Sequence, residues 1–445
     1  MSGCLDIKLE DQYSDPDAIK TTDNARELLA SAYNSLPRYQ MELAVLADDF
    51  VPSEHTGKYA ELQNLYNWES KAIEELSDNI WNEYYMTMAI VNALLPRMET
   101  IEPKVETDWL EKDRIRSEAK ALKAMCYFDL LRLYGPVYSQ ENLDKEGIIL
   151  KNRLELDFLP RSSVRDCVKE IETLLSEAAA VANDKAEVFY LSTSAVKALQ
   201  AELELYRGDY KKAVSYGLQL LEGAESRWTK TQYENLWADN AASDRLFAPY
   251  IFNSFYVDLC YDKESGDYFV LNPSILYDES DGRKEWASHT ITMGGKQVAT
   301  LGKYNKMYYD NVSVRYINTL RYSGVCFTVA EAYARDGEDD LARQTVNMLL
   351  NAYGAQPLDD TLEGDALIEA ILAQKQKDFA GEGVRLFDLK RHGKPFKKYS
   401  QYGVSVSATI QPSDYRWLLP IPQSEYKYND KITQNNPQWP FIKTE

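Results

Sequence analysis

The chain has 445 residues, with 70 Asp and Glu against 50 Lys and Arg, a formal net charge of −20. A surface this acidic repels phosphate backbones, which argues against nucleic acid as a partner. Hydrophobic content of 44% with 20 Gly and 16 Pro is that of a folded chain, and no apolar run approaches the roughly 18–20 residues a membrane-spanning helix needs.

The chain opens Met1-Ser2-Gly3-Cys4. A cysteine behind two small residues looks like the tail of a bacterial lipobox, so Cys4 is expected to be lipidated and residues 1–22 to serve as the leash of a membrane anchor. Residues 23–445 then read as one domain. Amphipathic helices are expected over 24–36 and 80–98, and again over 114–134 and 163–182, with a long loop carrying Gly135-Pro136 between the latter two. The stretch 39–68 is aromatic and reads as non-helical.

The clearest pattern lies in 195–221. Leu199, Leu203, Tyr206, Ala213, Tyr216 and Leu220 mark two helices about a tight Arg207-Gly208-Asp209 turn. Tyr206-x-Gly208 followed by Ala213 has the spacing of a tetratricopeptide unit, in which small residues let paired helices approach. A second copy runs through 329–350, with Ala330, Ala332, Gly337, Ala342 and Val346. Such units cannot bury their apolar faces alone and must stack. The expected fold is therefore mainly α: tetratricopeptide-like helical pairs in a superhelical array, with irregular aromatic-rich loop insertions.

The largest insertion spans about 225–312. It holds 16 aromatic residues, about 18% of the segment against 12% of the chain, and turn signals at Gly266, Gly282 and Gly294-Gly295. It reads as loops and short strands laid over the helices, where binding residues usually sit. Residues 399–417 form a similar stretch.

Motifs for chemistry are missing. The sequence has no H-E-x-x-H, G-x-S-x-G, phosphate-binding loop or dinucleotide fingerprint, so neither enzyme, cofactor nor metal is expected. His55 and His289 fall in loops and could touch a polar ligand; His392 follows a basic run and reads as structural. Cys4, Cys126, Cys167, Cys260 and Cys326 form no C-x-x-C pair. Cys126 and Cys326 read as buried thiols, and the disulfide state of the four beyond Cys4 stays open.

Six motifs in order resemble the SusD-like (SusD/RagB) family of nutrient-binding outer-membrane lipoproteins. The first helix comes first, then Trp81, Tyr84 and Asn92. Arg116, Glu118, Ala119, Ala124, Tyr127, Leu130, Tyr134 and Gly135 follow. Next are Arg321 with Ala330-Glu331-Ala332, Gly381-Glu382-Gly383-Val384-Arg385 with Asp388-Leu389-Lys390-Arg391, and finally Leu419-Pro420-Ile421-Pro422 with Glu425, Asn429 and Gln434-Asn435-Asn436-Pro437. There are departures: Gln374–Asp378 stands for E-R-x-x-E, Gly324 for a glutamate, and Gln438-Trp439 for Gly-Tyr. Arg385 and Asp388, three residues apart, could pair on one helix face. Pro420 and Pro422 fix an extended segment that could clip the tail to the array.

The resemblance implies a cell-surface lipoprotein of the outer membrane of a Bacteroidota-type bacterium. It would bind a nutrient, first of all an oligosaccharide, and deliver it to a SusC-like TonB-dependent transporter. A peptide-binding RagB-type protein and a helical-repeat interaction scaffold without a small ligand are the alternatives. Ligand residues vary across the family and do not carry over with the motifs. Sugars present C–H patches that rest on Trp and Tyr faces, so Tyr66, Trp68, Tyr277 and Trp286 in the loops are the expected ligand contacts. Trp81, Tyr127 and Tyr134 lie on helical core faces and read as structural.

Overall fold

A computed structural model describes residues 19–154, 157–184, 187–238, 240–250, 261–262, 266–267, 269–303 and 316–443. Cys4, the leash up to residue 18, Cys260 and seven aromatics of the insertion (Phe252, Phe255, Tyr256, Tyr268, Tyr304, Tyr308 and Tyr309) lie outside the described residues.

The fold is mainly helical. In chain order the helices are α1 Thr22–Asn34, α2 Gln40–Leu46, α3 Ala60–Tyr66, α4 Ser70–Thr100, α5 Glu106–Tyr134, α6 Val164–Ala179, α7 Thr193–Arg207, α8 Tyr210–Leu221, α9 Lys230–Trp237, α10 Lys284–Ala287, α11 Tyr322–Arg335, α12 Asp339–Tyr353, α13 Gly364–Phe379, α14 Arg385–His392 and α15 Gln423–Tyr426. Side-chain oxygens of Thr21, Ser163, Ser192 and Asp209 accept from backbone amides three residues on and start α1, α6, α7 and α8, satisfying amides that would otherwise be orphaned. Gly208 ends α7 at φ +80°, a left-handed position that costs a residue with a Cβ dearly.

The four expected pairs form: α1 packs on α4, α5 on α6, α7 on α8 and α11 on α12. Contacts of α4 with α5, α6 with α7, and α8 with α11 join them into one continuous array, and α13 covers α11. The approach of α8 to α11 depends on Gly217, where a Cβ would stand 2.2 Å from Val329 Cγ2. Trp81, Tyr127 and Tyr134 are all at most 1% exposed. Cys126, Cys167 and Cys326 are buried free thiols.

Two readings of the sequence are corrected. The stretch 39–68 holds α2 and α3, seven residues each, too short to show a helical period. Met41, Leu43, Ala44, Val45 and Leu46 of α2 are all buried, so this helix is apolar on nearly every side. The second correction concerns Arg385. It forms a bidentate pair with Asp48 (2.7 and 3.0 Å), while Asp388 is held by Lys375 and Arg391.

The strands are short: β1 Phe50–Pro52, β2 Arg245–Phe247, β3 Tyr261–Asp262, β4 Gly266–Asp267, β5 Phe269–Leu271, β6 Ser288–Met293, β7 Lys296–Leu301, β8 Leu320–Arg321, β9 Phe396–Tyr399 and β10 Val406–Ile410. They form five antiparallel pairs, β1–β5, β2–β8, β3–β4, β6–β7 and β9–β10. Among the described residues of the insertion, short ribbons stand beside α9 and α10.

A buried ionic network ties this insertion to the helices. The Arg321 guanidinium lies 3.1 Å from Asp244, 2.9 Å from Asp378 and 2.9 Å from Glu382. Arg283 holds Asp281 at 2.8 Å, and Lys303 reaches Glu382 at 2.5 Å. The departure at Gly324 has a packing reason, since a Cβ there would meet the Phe379 ring at 3.3 Å. At the end of the chain the Leu419–Pro422 segment is clipped as expected. Ser77 Oγ donates to Pro420 O (2.7 Å), Leu419 N to Leu133 O, and Asn436 Nδ2 to Tyr134 O.

Candidate functional site

The fate of the four expected contact rings is mixed. Tyr66 and Trp68 are 1% and 2% exposed. Tyr66 Oη donates to Tyr399 O (3.0 Å) and accepts from Tyr399 N (2.9 Å). Trp68 Nε1 donates to Leu46 O, and its ring meets Trp417 edge-on at 5.0 Å and Phe396 at 5.8 Å. Neither ring offers a face, so the expectation that they present ring faces to a ligand is corrected. Their surroundings are built by β9 and the single 3₁₀ turn Tyr415–Trp417, far along the chain. Tyr277 and Trp286 are half-buried; Tyr277 Oη donates to Lys377 O at 2.7 Å. The structure does not gather the four into one surface.

An open cleft of about 520 Å³ lies elsewhere, walled in part by residues of the insertion. Its walls come from 187–189 ahead of α7, Gln232 on α9, the 240–245 run into β2, and Tyr316 before β8. Local geometry explains how these distant segments meet. Ala248 N donates to Val188 O (2.8 Å), laying 187–189 beside β2. Ser243 N donates to Gln232 Oε1 (2.9 Å) and joins the run to α9.

Arg245 is the hub. Its side chain donates to Asn318 Oδ1 (2.8 Å), Leu236 O (2.7 Å) and Asn240 O. Its guanidinium also lies 4.8 Å from the centroid of the Tyr316 ring, a cation–π contact that fixes the plane of that ring. Tyr250 bridges Tyr316 across an antiparallel pair and meets its ring edge-on at 5.6 Å. Tyr250 O in turn accepts from Arg38 Nη2 (3.4 Å). Burial lowers the affinity of Arg38 for its proton, with Glu83 opposing. On the opposite wall Phe189 packs on Tyr190 at 4.7 Å, and the Arg26 guanidinium caps Tyr190 at 5.0 Å. Burial of Tyr190 raises its hydroxyl pKa.

The cleft thus combines two half-buried rings, Phe189 and Tyr316, with the side-chain amides of Gln232 and Asn240 and the exposed carboxylate of Glu187. Ring faces take apolar patches; amides and a carboxylate satisfy hydroxyls. Sequence reasoning marked the insertion but not these residues. The available signal was the Tyr250 and Tyr316 pair, which bounds two further runs of aromatics at 252–256 and 304–309. Among the described residues no group of three or more His, Cys, Asp or Glu side chains could hold a metal ion. No helix among them is long and apolar enough to cross a membrane.

Comparison with known proteins agrees with this architecture. Residues 182–439 match the model of the SusD family, and residues 9–205 match a model described as starch-binding associating with outer membrane. SusD-like protein P38 of Formosa agariphila is 22% identical, covering 95% of this chain and 94% of its own length. A putative sugar binding protein of Bacteroides vulgatus superposes with a TM-score of 0.80 at 19% identity, over 95% of this chain and 99% of its own. A SusD-like carbohydrate binding protein of the same species gives 0.77 at 20% identity, over 93% and 97%.

Proposed function

The chain belongs to the SusD family, and from that premise we propose that it is a binding protein that captures an oligosaccharide in the cleft between Phe189 and Tyr316. It would then pass its cargo to a SusC-like TonB-dependent transporter, held at the outer membrane by lipid on Cys4. The observation that carries the reading is the pairing of Phe189 and Tyr316 with Gln232, Asn240 and Glu187 around one open recess.

Burying about 80–100 Å² of a sugar face on one ring contributes roughly 2 kcal/mol at 25 cal/mol per Å². Two rings with a few hydrogen bonds, less ordering costs, reach about −4 to −6 kcal/mol, a dissociation constant from millimolar to tens of micromolar. That range suits a protein that must release what it captures. Isothermal titration against a panel of neutral oligosaccharides and peptides tests the reading. A saccharide ligand whose affinity falls about tenfold or more in Tyr316→Ala and Phe189→Ala supports it. Binding of peptides alone, or saccharide binding unmoved by both variants, refutes it.

A further inference from the structure

One end of the helical array is defined by helix termini that meet there. Helices α4 and α5 run antiparallel, with Tyr84 Oη donating to Asp129 (2.8 Å) at one level and Arg116 to Glu99 (2.9 Å) near the loop that joins them. Helix α1 runs parallel to α5. Arg26, in its early turns, donates to Glu111 (2.7 Å), while Ser35, just past its far end, meets Thr87 Oγ1 (3.0 Å) in the middle of α4. Ser117 Oγ donates to Ala178 O (2.9 Å), which brings the last turn of α6 toward the same end. The start of α1, and with it the join to the residues that carry Cys4, therefore stands at the end of the array that the α4–α5 corner closes.

We infer that this corner is a lipid-contact surface, which seats Val105, Trp109 and Leu110 in the headgroup region of a zwitterionic bilayer. The three side chains are 56%, 55% and 54% exposed. Val105 and Trp109 are one helical turn apart and share a face at the start of α5, and Leu110 adjoins them. Trp109 is the one mostly exposed tryptophan of the eight in the chain; six are buried and Trp286 is half-buried. A large ring with an apolar body and a polar N–H, left in water beside two aliphatic side chains, suits the membrane interface, where tryptophan concentrates.

Charge around the patch selects the kind of surface. Glu102 and Glu106 are exposed beside Val105. In a chain of net charge −20 they repel an anionic surface and accept the ammonium ends of zwitterionic headgroups. They also disfavour a second copy of this chain, which would bring its own carboxylates against them. Three apolar side chains hold a bilayer weakly by themselves, but a lipid attached nearby keeps them at high effective concentration beside it. Contact of the corner with lipid thus rests on the anchor at Cys4 and adds to it a fixed orientation of the domain. Arg26, at the same end, caps the Tyr190 ring on which Phe189 of the saccharide cleft packs, so one wall of that cleft stands at the membrane-facing end.

The full chain carrying Cys4→Ala and an N-terminal hexahistidine tag, tethered to phosphatidylcholine vesicles that hold a nickel-chelating lipid, makes the test independent of native lipidation. Phosphatidylcholine brominated on its acyl chains close to the headgroup should quench tryptophan fluorescence relative to the unbrominated lipid, and Trp109→Phe should abolish that loss. Leu110→Asp should abolish it with Trp109 still present. Both positions are exposed, so saccharide binding in the Tyr316 cleft should be unchanged in either variant, which separates failure of the lipid contact from failure of the cleft. Adding phosphatidylglycerol to the vesicles should reduce the quenching at low salt, and raising the salt should restore it. Equal fluorescence on brominated and ordinary lipid, quenching that persists in Trp109→Phe, or stronger quenching on the anionic vesicles at low salt overturns the inference.

Discussion

Replacing Arg321 by methionine should cost about 3–5 kcal/mol, the usual loss when one partner of a buried ion pair is removed. The Arg321 side chain is fully buried, faces three carboxylates and lies 3.9 Å from the Phe379 ring centroid. Methionine fills much of the volume but leaves the carboxylates with less compensation. Glu382 keeps Lys303 and Asp378 keeps Arg283, whereas Asp244 keeps only neutral donors, the Ser323 amide and hydroxyl and Trp228 Nε1. Against a total stability of about 5–15 kcal/mol this is a large share. Urea unfolding followed by tryptophan fluorescence measures it. The loss should also depend on pH. Burial raises the Asp244 pKa to about 6 even with Arg321 pulling it down. A carboxyl whose folded pKa is raised favours the folded state below its unfolded pKa, and loses that contribution as pH rises through the folded value. Removing Arg321 lifts the folded value further, so the deficit should be smaller at pH 5 than at pH 8. A loss under about 1 kcal/mol, or one equal at both pH values, would refute the view that this network holds the insertion to the helices.

Gly217→Val should drive α8 from α11, because its Cβ would stand 2.2 Å from Val329 Cγ2; a cost of about 1–3 kcal/mol in thermal unfolding is expected. Trp68→Ala should destabilise by about 3–5 kcal/mol while the folded fraction binds saccharide as before, and Tyr316→Ala should do the reverse, which unfolding curves and titration of each variant will separate. Burial and neighbouring Asp48 raise the Asp49 pKa to about 7, so this group stabilises the fold at acidic pH and the contribution fades as pH rises from about 4 to 7; Asp49→Asn should flatten that decline in urea titrations between pH 5 and 8. Cys4→Ala should release the protein from the membrane fraction of its native host, and the wild type should co-purify from those membranes with a large β-barrel; retention in the membrane, or isolation without a barrel, would contradict the anchor and the partnership respectively.

The sequence by itself determined the helical scaffold, because its information is local. Helices such as α7 and α8 run 15 and 12 residues, long enough for the apolar period to repeat, and their starts and stops are written in Ser192, Gly208 and Asp209. The order of the family motifs was equally legible, and several meet in space: Trp81 Nε1 donates to Glu425, and Lys390 caps the last carbonyls of α5. Two-turn helices such as α2 left no period to read. Which aromatic rings face solvent was decided only by tertiary structure, since exposure depends on partners remote in sequence. Tyr66 is closed off by Tyr399, 333 residues away, and Trp68 by Phe396 and Trp417. The cleft has the same origin. Phe189, Gln232, Arg245 and Tyr316 are unremarkable where they stand in the chain, and become one surface because the hydrogen bonds of Arg245, the β2–β8 pairing and the bond from Ala248 N to Val188 O draw four separate segments together.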